Sequence, residues 1–444
     1  MKLLIKNGRV IDPCNKIEEV MDILVEGGKI SKVARGIDVK ADTVIDAADK
    51  IVMPGIVDMH VHLREPGRED KETVSSGTMA ACKGGVTSVL AMPNTLPSLD
   101  SIEIIKTLKE IIKKTANVDV FICGAITIGR AGLELADLAA LKKEGVAAIS
   151  DDGASVDSDE LMLKAFEKAK KEKLSVICHS EDKSLSGKGV VNLGFTSTRL
   201  GLRGIPKESE YKRVARDIML AEKSGANVHI AHVSCEESVE IIRKAKKKGV
   251  KVTAETAPHY FTLNEEDLLD YNTDMKVNPP LRTKDDVLAV REGLKDGTID
   301  VIASDHAPHT ENEKEIEFEH AEFGSTGLET ELAASVTELV SRGILTWSEL
   351  VKKISLNPAN VLGVDKGTLG PGKDADIAII SADKEWVVKK SEFVSKSKNS
   401  AFIGRKLKGV VEYTISNGKI VYKTCSVRRT ENFPFGERRG WDIK

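Results

Sequence analysis

Two patterns of apolar and polar residues share this chain. Near both ends short apolar runs broken by Gly, Asn and Asp read as short strands joined by hairpins. Leu3-Leu4-Ile5-Lys6-Asn7-Gly8, 22–30 and Thr43-Val44-Ile45-Asp46 carry this pattern at the start, and 376–380 and 410–421 carry it late. Gly27-Gly28 and Asn417-Gly418 supply the positive φ that tight hairpins need. The middle reads differently. Eight short apolar runs, 56–63, 87–93, 118–126, 147–151, 175–180, 227–234, 252–257 and 300–305, predict strands. Between them apolar residues recur at three- and four-residue spacing, as over 101–114, 158–172, 208–224, 235–248 and 285–296, which predicts amphipathic helices.

A strand and helix repeated eight times predict an α/β fold, a (β/α)8 TIM-like barrel. The rival is an open doubly wound sheet. It loses its usual support, because no G-x-G-x-x-G opens a helix after the first strand. The expected organisation is a barrel over 53–365 and a small β-sandwich domain assembled from both chain ends, 1–52 and 366–444. Beyond Arg428 charged and aromatic residues follow no period, as in a tail that docks or frays.

Composition narrows the function classes. With 444 residues, 41% hydrophobic and 30% charged, the chain suits a globular protein of one large barrel plus an accessory domain. A net charge of -3 and a pI near 6.4 give no electrostatic case for nucleic acid or an anionic membrane. The lysine run at 244–248 falls on a predicted helix, as a solvated face. No apolar segment is long enough to span a bilayer, and Met1-Lys2-Leu3-Leu4 leads into a strand rather than a signal peptide. Cys14, Cys82, Cys123, Cys178, Cys235 and Cys425 form no C-x-x-C pair, and read as reduced, mostly buried thiols of a cytoplasmic protein. Glutamine is absent, a bias that suits a heat-adapted source.

The chemistry gathers where the predicted strands stop, as it does in barrels. The first strand ends in His60-Val61-His62-Leu63-Arg64, followed by Glu65-Pro66-Gly67. His60 and His62, two apart on a strand, share a face, which makes a poor core and a good metal clamp. Asp58, on the opposite face, is read as structural or as an outer support of the metal ligands. Later strands end in Met92-Pro93-Asn94-Thr95, Ser150-Asp151-Asp152-Gly153, Cys178-His179-Ser180-Glu181, Ala231-His232 and Ser304-Asp305-His306-Ala307-Pro308-His309. One histidine alone is more often a buried hydrogen-bonded side chain; coincidence at one rim is not explained that way. Four imidazoles (His60, His62, His179, His232) and two carboxylates (Asp152, Asp305) exceed the needs of one tetrahedral ion. They suit two ions bridged by a carboxylate and a hydroxide, in preference to two separate mononuclear sites. Nitrogen and oxygen donors without thiolate favour zinc, with manganese or cobalt as substitutes. Such a pair generates a nucleophile and polarises an amide carbonyl, and Asp305 is the candidate to carry the proton to the leaving nitrogen. Cys178 precedes His179 and is expected to point away, into packing.

These motifs resemble the amidohydrolase superfamily and, within it, the dihydroorotases of the larger bacterial-type class. His62-Leu63-Arg64-Glu65-Pro66-Gly67 is the most specific string; Asp305-His306-Ala307-Pro308-His309 is shared with hydantoinases and allantoinases. The resemblance covers essentially the whole chain. It implies reversible interconversion of N-carbamoyl-L-aspartate and L-dihydroorotate in pyrimidine synthesis, through a metal-bridging hydroxide. It implies that His60, His62 and Asp305 hold one zinc ion and His179 and His232 a second, with Asp305 as proton shuttle. Arg64, Asn94 and His309 would bind the substrate carboxylate, and Asn278 with the Phe323-Gly324 backbone would also touch substrate.

Residue chemistry supports Arg64 independently. It lies two residues past His62, and a guanidinium there can grip a carboxylate that hydantoins lack. The alternative is an arginine paired with Glu65 or Glu69. Asn94 taken alone reads as a turn residue. One departure stands out: many superfamily members bridge their metals with a carboxylated lysine after strand four, and this chain has Ser150-Asp151-Asp152-Gly153. Asp152 is the expected bridge, with Asp151 turned to the other face. Loops 182–206 and 310–324 are candidates to close over substrate, the former reading better as a surface connection. Competing functions are a hydantoinase or allantoinase, and a non-catalytic scaffold for aspartate transcarbamoylase. Partnership with that enzyme or a homo-oligomer stays open.

Overall fold

A computed structural model describes residues 2–424, so the expected tail and Cys425 lie outside the described residues. Among the described residues two eight-stranded sheets dominate. The parallel one runs in chain order through Ile56–Val61, Val86–Ala91, Asp119–Gly124, Ala148–Ser150, Ser175–Cys178, Val228–Ile230, Val252–Thr256 and Val301–Ile302. It closes between last and first strand by a parallel bridge of Val61 to His306, and by the His62 N–H donating to the His306 carbonyl at 2.9 Å. Asp58 reinforces this seam, accepting from the Ser304 N–H at 3.2 Å. The observed strands are shorter than the apolar runs because each run continues into the loop that carries the polar strand end.

The expected helices form nearly where periodicity places them, as Ile102–Thr115, Asp159–Glu172, Glu208–Ser224, Glu236–Lys247 and Lys284–Lys295. Side-chain capping explains two of the starts: Ser158 accepts from the Leu161 N–H, and Thr283 forms a capping box with Asp286. Outward strand residues such as Val89, Ile122, Ile149, Val176 and Ile230 join the helices in the main core. Inward residues Val57, Met59, Leu90, Cys123, Ala148, Ile177 and Val301 form a separate layer, closed by Ala359 and Leu362 from the helix Asn357–Leu362. Cys178 faces outward into the helical core.

The chain ends build the second sheet. Lys2–Asp12, Ile17–Glu26, Lys29–Ala34, Thr43–Asp46 and Ile51–Pro54 join Ile377–Val387, Lys406–Ser416 and Lys419–Lys423 in one continuous hydrogen-bonded array. The strand period assigns its faces: Ile377, Ile379 and Val52 enter the small domain's own core, while Ala378, Ile380, Ile51 and Met53 pack on the barrel's core. Both hairpin turns have positive φ, at Gly27 (59°) and Gly28 (84°), and at Asn417 (49°) and Gly418 (74°). Residues 388–405, which sequence patterning leaves featureless, cross from this sheet to the polar rim of the barrel. There the Ser397 hydroxyl donates to the Lys71 carbonyl at 2.7 Å, and Asn399 accepts from the His309 N–H at 3.0 Å.

Candidate metal centre and active site

The six expected ligands converge. His60 Nε2 lies 3.3 Å from Asp152 Oδ1 and 3.7 Å from Asp305 Oδ1. His62 Nε2 lies 3.4 Å from Asp305 Oδ1 and 3.5 Å from Asp152 Oδ2. On the other side of Asp152 Oδ1 stand His179 Nδ1 at 3.5 Å and His232 Nε2 at 3.6 Å, themselves 2.8 Å apart. Two groups, His60 with His62 and Asp305, and His60 with Asp152 and His232, have donor atoms spaced to share an ion. Asp152 thus has one oxygen toward each side, and His60 stands between them. Asp151 is turned away, accepting from the Ile126 and Thr127 N–H groups at 2.8 and 3.1 Å.

Backbone strain aims part of this cluster. Asp305, His232 and Arg64 all adopt left-handed conformations, with φ of 47°, 36° and 63°. Non-glycine residues pay for that region, and it turns side chains at strand ends into the mouth of the barrel. Outer hydrogen bonds fix three of the rings: His60 Nδ1 to Glu255 at 2.5 Å, His62 Nδ1 to Asn94 Oδ1 at 2.8 Å, and His179 Nε2 to Glu181 at 3.3 Å. Each contact assigns a proton to the outer nitrogen and leaves the inner one a lone pair.

The donor set fits divalent ions. Among the described residues His60 Nε2 and Asp152 Oδ1 are buried without a hydrogen-bond partner, which is costly unless a cation compensates them. His179 Nδ1 and His232 Nε2 at 2.8 Å need a proton or a metal between them. Burial works to lower the His179 imidazole, and Asp152 and Glu181 outweigh it, raising it to about 9. Burial works to raise Asp305; His62 and His60 outweigh it and hold the carboxyl below its usual range. Buried carboxylates that draw a proton onto His179 in this way mark a site short of positive charge.

Beside it opens a cavity of about 360 Å³ whose lining includes His62, Arg64, Asn94, Asn278, His309 and Phe323-Gly324. The Arg64 Nε donates to the Pro308 carbonyl at 3.1 Å, and among the described residues no carboxylate pairs with this guanidinium. Glu65 and Glu69 are engaged elsewhere, with the Val74 and Gly67 N–H groups at 2.8 Å. Asn94 commits its oxygen to His62 and keeps its Nδ2 free of that contact. Asn278 donates to Glu181 at 3.2 Å. His309 receives Lys71 Nζ on Nδ1 at 3.0 Å, and its Nε2 lies 2.8 Å from the Phe323 carbonyl and 3.2 Å from Arg64 Nη2. Gly324 takes φ 142°, and a Cβ there would lie 2.8 Å from Ala307, so only glycine brings this backbone so close.

Of the two loops, 310–324 lines the cavity and 182–206 does not. The latter holds a small ladder of Val191–Asn192 with Gly204–Ile205, and Asn192 is bound by Arg282 at 2.9 Å. Sequence reasoning missed Lys71, Arg130 and Asn399. Arg130 donates to the Asp152 carbonyl from a short helical turn, and Lys71 sits in the charged run 68–72, which reads as a solvated surface. Nothing in the local pattern distinguishes them.

Comparison with known proteins agrees with this geometry. A family model described as Dihydro-orotase-like matches residues 49–238, and one described as Amidohydrolase family matches 242–422. The L-hydantoinase (dihydropyrimidinase) of Arthrobacter aurescens superposes with a TM-score of 0.86 at 26% identity, covering 95% of this chain and 96% of that one. A D-hydantoinase gives 0.85 at 25% identity, with 95% of each chain covered. Fold and site together define a barrel amidohydrolase. Curated relatives narrow this. The dihydroorotase of Elusimicrobium minutum is 52% identical, over 95% of this chain and 97% of its own length. That of Geobacter metallireducens is 51% identical, over 95% of this chain and all of its own length. The chain belongs to the dihydroorotase family.

Proposed function

We propose that this protein is a zinc-dependent enzyme that interconverts L-dihydroorotate and N-carbamoyl-L-aspartate in pyrimidine synthesis. The observation that carries the reading is Arg64, a half-buried guanidinium that pairs with no carboxylate among the described residues and lines the cavity that the ligand cluster opens into. Dihydroorotate is a cyclic amide bearing a carboxylate, and a bidentate arginine contact is the strong way to hold one. His60, His62 and Asp305 would hold one zinc ion, His179 and His232 a second, with Asp152 between them. When bound, such a pair lowers the pKa of water and polarises the scissile carbonyl. Asp305, kept ionised by its histidine neighbours, takes a proton from the attacking water and returns it to the ring nitrogen as the C–N bond breaks. Asn94 offers substrate its Nδ2. Asn278 and the Phe323-Gly324 backbone form the facing wall, and His309 reaches the carboxylate by exchanging its contact with Phe323.

A hydantoinase-type activity is the weaker reading, since an uncharged ring would leave the half-buried Arg64 facing the cavity without a counter-ion. A scaffold without catalysis is disfavoured by the complete ligand cluster. No described helix is long and apolar enough to cross a membrane. A cytoplasmic location, with self-association or a transcarbamoylase partner, is part of the proposal; light scattering of the protein with and without that partner tests the association. The enzymatic test is an ultraviolet assay of dihydroorotate ring opening, run before chelation, after it, and after zinc is restored. Turnover that vanishes and returns is the expected result. Metal-loaded protein that leaves dihydroorotate intact would refute the assignment.

A further inference from the structure

Beneath the ligand cluster the barrel interior is not wholly apolar. In the strand Val228–Ile230 the flanking residues face outward into the helical core, which turns His229 inward. In Val252–Thr256, Val252 and Ala254 face outward, which turns Thr253 and Glu255 inward. His229 and Thr253 are direct neighbours across these paired strands. The result is a continuous chain of contacts: His60 Nδ1 to Glu255 Oε1 at 2.5 Å, Glu255 Oε2 to His229 Nε2 at 3.1 Å, and His229 Nδ1 to Thr253 Oγ1 at 2.8 Å. His60, Glu255 and His229 are each at most 1% exposed.

We propose that Glu255, itself held by His229, is a positioning residue for the metal centre. It fixes the tautomer and ring plane of His60, so that Nε2 presents its lone pair to the ions, and it strengthens that nitrogen as a donor. The inference rests on the reading of His60 as a ligand. A carboxylate is costly to bury in a barrel core unless both oxygens are matched, and here each meets one imidazole. The protons follow from the chain of partners. Thr253 can donate to His229 Nδ1, His229 Nε2 donates to Glu255, and His60 Nδ1 donates to the other oxygen. His60 Nε2 is then the unpartnered atom of the chain, and it faces Asp152 and Asp305. An acid serving packing alone would not need a histidine on each side. Outer partners of metal-bound histidines commonly change metal affinity by about 10–100-fold when removed.

The test uses the full-length protein and reads metal, not turnover. Glu255→Gln keeps an acceptor for His60, and His229 can exchange tautomers to match the new amide, so this variant removes charge with little change of shape. Glu255→Ala removes orientation as well, and His229→Phe removes the support. Zinc retention is measured by competition with a chromophoric chelator, and the ligand field by the visible spectrum of the cobalt-loaded protein. Affinity is expected to fall about tenfold in Glu255→Gln and up to about 100-fold in Glu255→Ala, with His229→Phe between them. The cobalt bands should shift in all three, while the metal-free proteins keep their circular dichroism. Wild-type zinc affinity and an unshifted cobalt spectrum in Glu255→Gln and His229→Phe would overturn the proposal. Those two variants decide the matter if Glu255→Ala does not fold. Should the variants lose zinc as expected while metal-loaded wild-type protein leaves dihydroorotate intact, the functional assignment fails and this one stands.

Discussion

The two walls of the candidate active site are built on different principles. The metal wall consists of side chains at the ends of barrel strands, and the strand hydrogen bonds themselves set their spacing. The substrate wall is assembled from loops. Phe323-Gly324 is held by two buried lysines: Lys276 donates to the carbonyls of Phe318, Glu319 and Ala321 at 2.8, 3.1 and 2.6 Å, and Lys314 to those of Glu322 and Gly324 at 2.8 and 3.0 Å. Asn399, from the far end of the chain, adds bonds to the carbonyls of Ala307 and Gly324 at 3.2 and 3.1 Å. The first wall is tied directly to the hydrogen-bonded barrel strands. The second depends on a few ammonium groups that satisfy backbone carbonyls no regular element satisfies. Damage to the metal wall should therefore act on chemistry, and damage to the substrate wall on binding and local stability.

Four substitutions or conditions sharpen that contrast. Asp305→Asn should lower kcat by about 10³-fold or more with circular dichroism unchanged, because the proposed proton carrier is lost. Retained turnover would move Asp305 from the chemistry to plain ligation. Arg64→Met should reduce kcat/KM for dihydroorotate by about 30-fold, the value of ~2 kcal/mol for a charged hydrogen bond, and act mainly through KM. A matched effect on an uncharged cyclic amide would make Arg64 structural. Lys276→Met leaves three carbonyls without their donor, so it should cost ~1–3 kcal/mol in chemical denaturation and raise KM several-fold while sparing zinc content. Loss of zinc in that variant would show that the two walls are not separable.

The smallest effect is one of pH. Burial lowers Lys276 to about 8, while in the unfolded chain it titrates near 10.5. Over that window the unfolded state binds more protons, so stability rises with pH from about 8 to about 10.5 and falls again as pH drops through 8. Denaturation midpoints of wild type and Lys276→Met across this range should show a shallower rise in the variant. Parallel curves would mean the lysine keeps its proton in the folded protein throughout.

Much of the metal wall was legible because barrel strands translate sequence position into spatial position. Apolar runs ending in His, Asp or Asn mark the rim, and the two-residue spacing of His60 and His62 marks a shared face. The hairpins at Gly27-Gly28 and Asn417-Gly418 were legible for a local reason, since few residues accept positive φ. Glu255 and His229 escaped notice because strands enclosed on both faces give no alternation that tells the interior of the barrel from its helical coat. Lys71, Lys276 and Lys314 escaped because a lysine in a charged stretch reads as surface; burial depends on which carbonyls happen to surround it.

The sequence by itself determined the barrel, the pairing of its two ends into one β domain, and the residue types that crowd the strand ends. Those follow from periodicity and short-range stereochemistry, which any stretch of chain carries within itself. Tertiary structure alone decided that no carboxylate among the described residues pairs with Arg64, that residues 388–405 return to the candidate active site, and that two lysines hold its outer wall. Those outcomes depend on distances between residues far apart in the chain, set by the closure of the barrel and the packing of the end sheet against it.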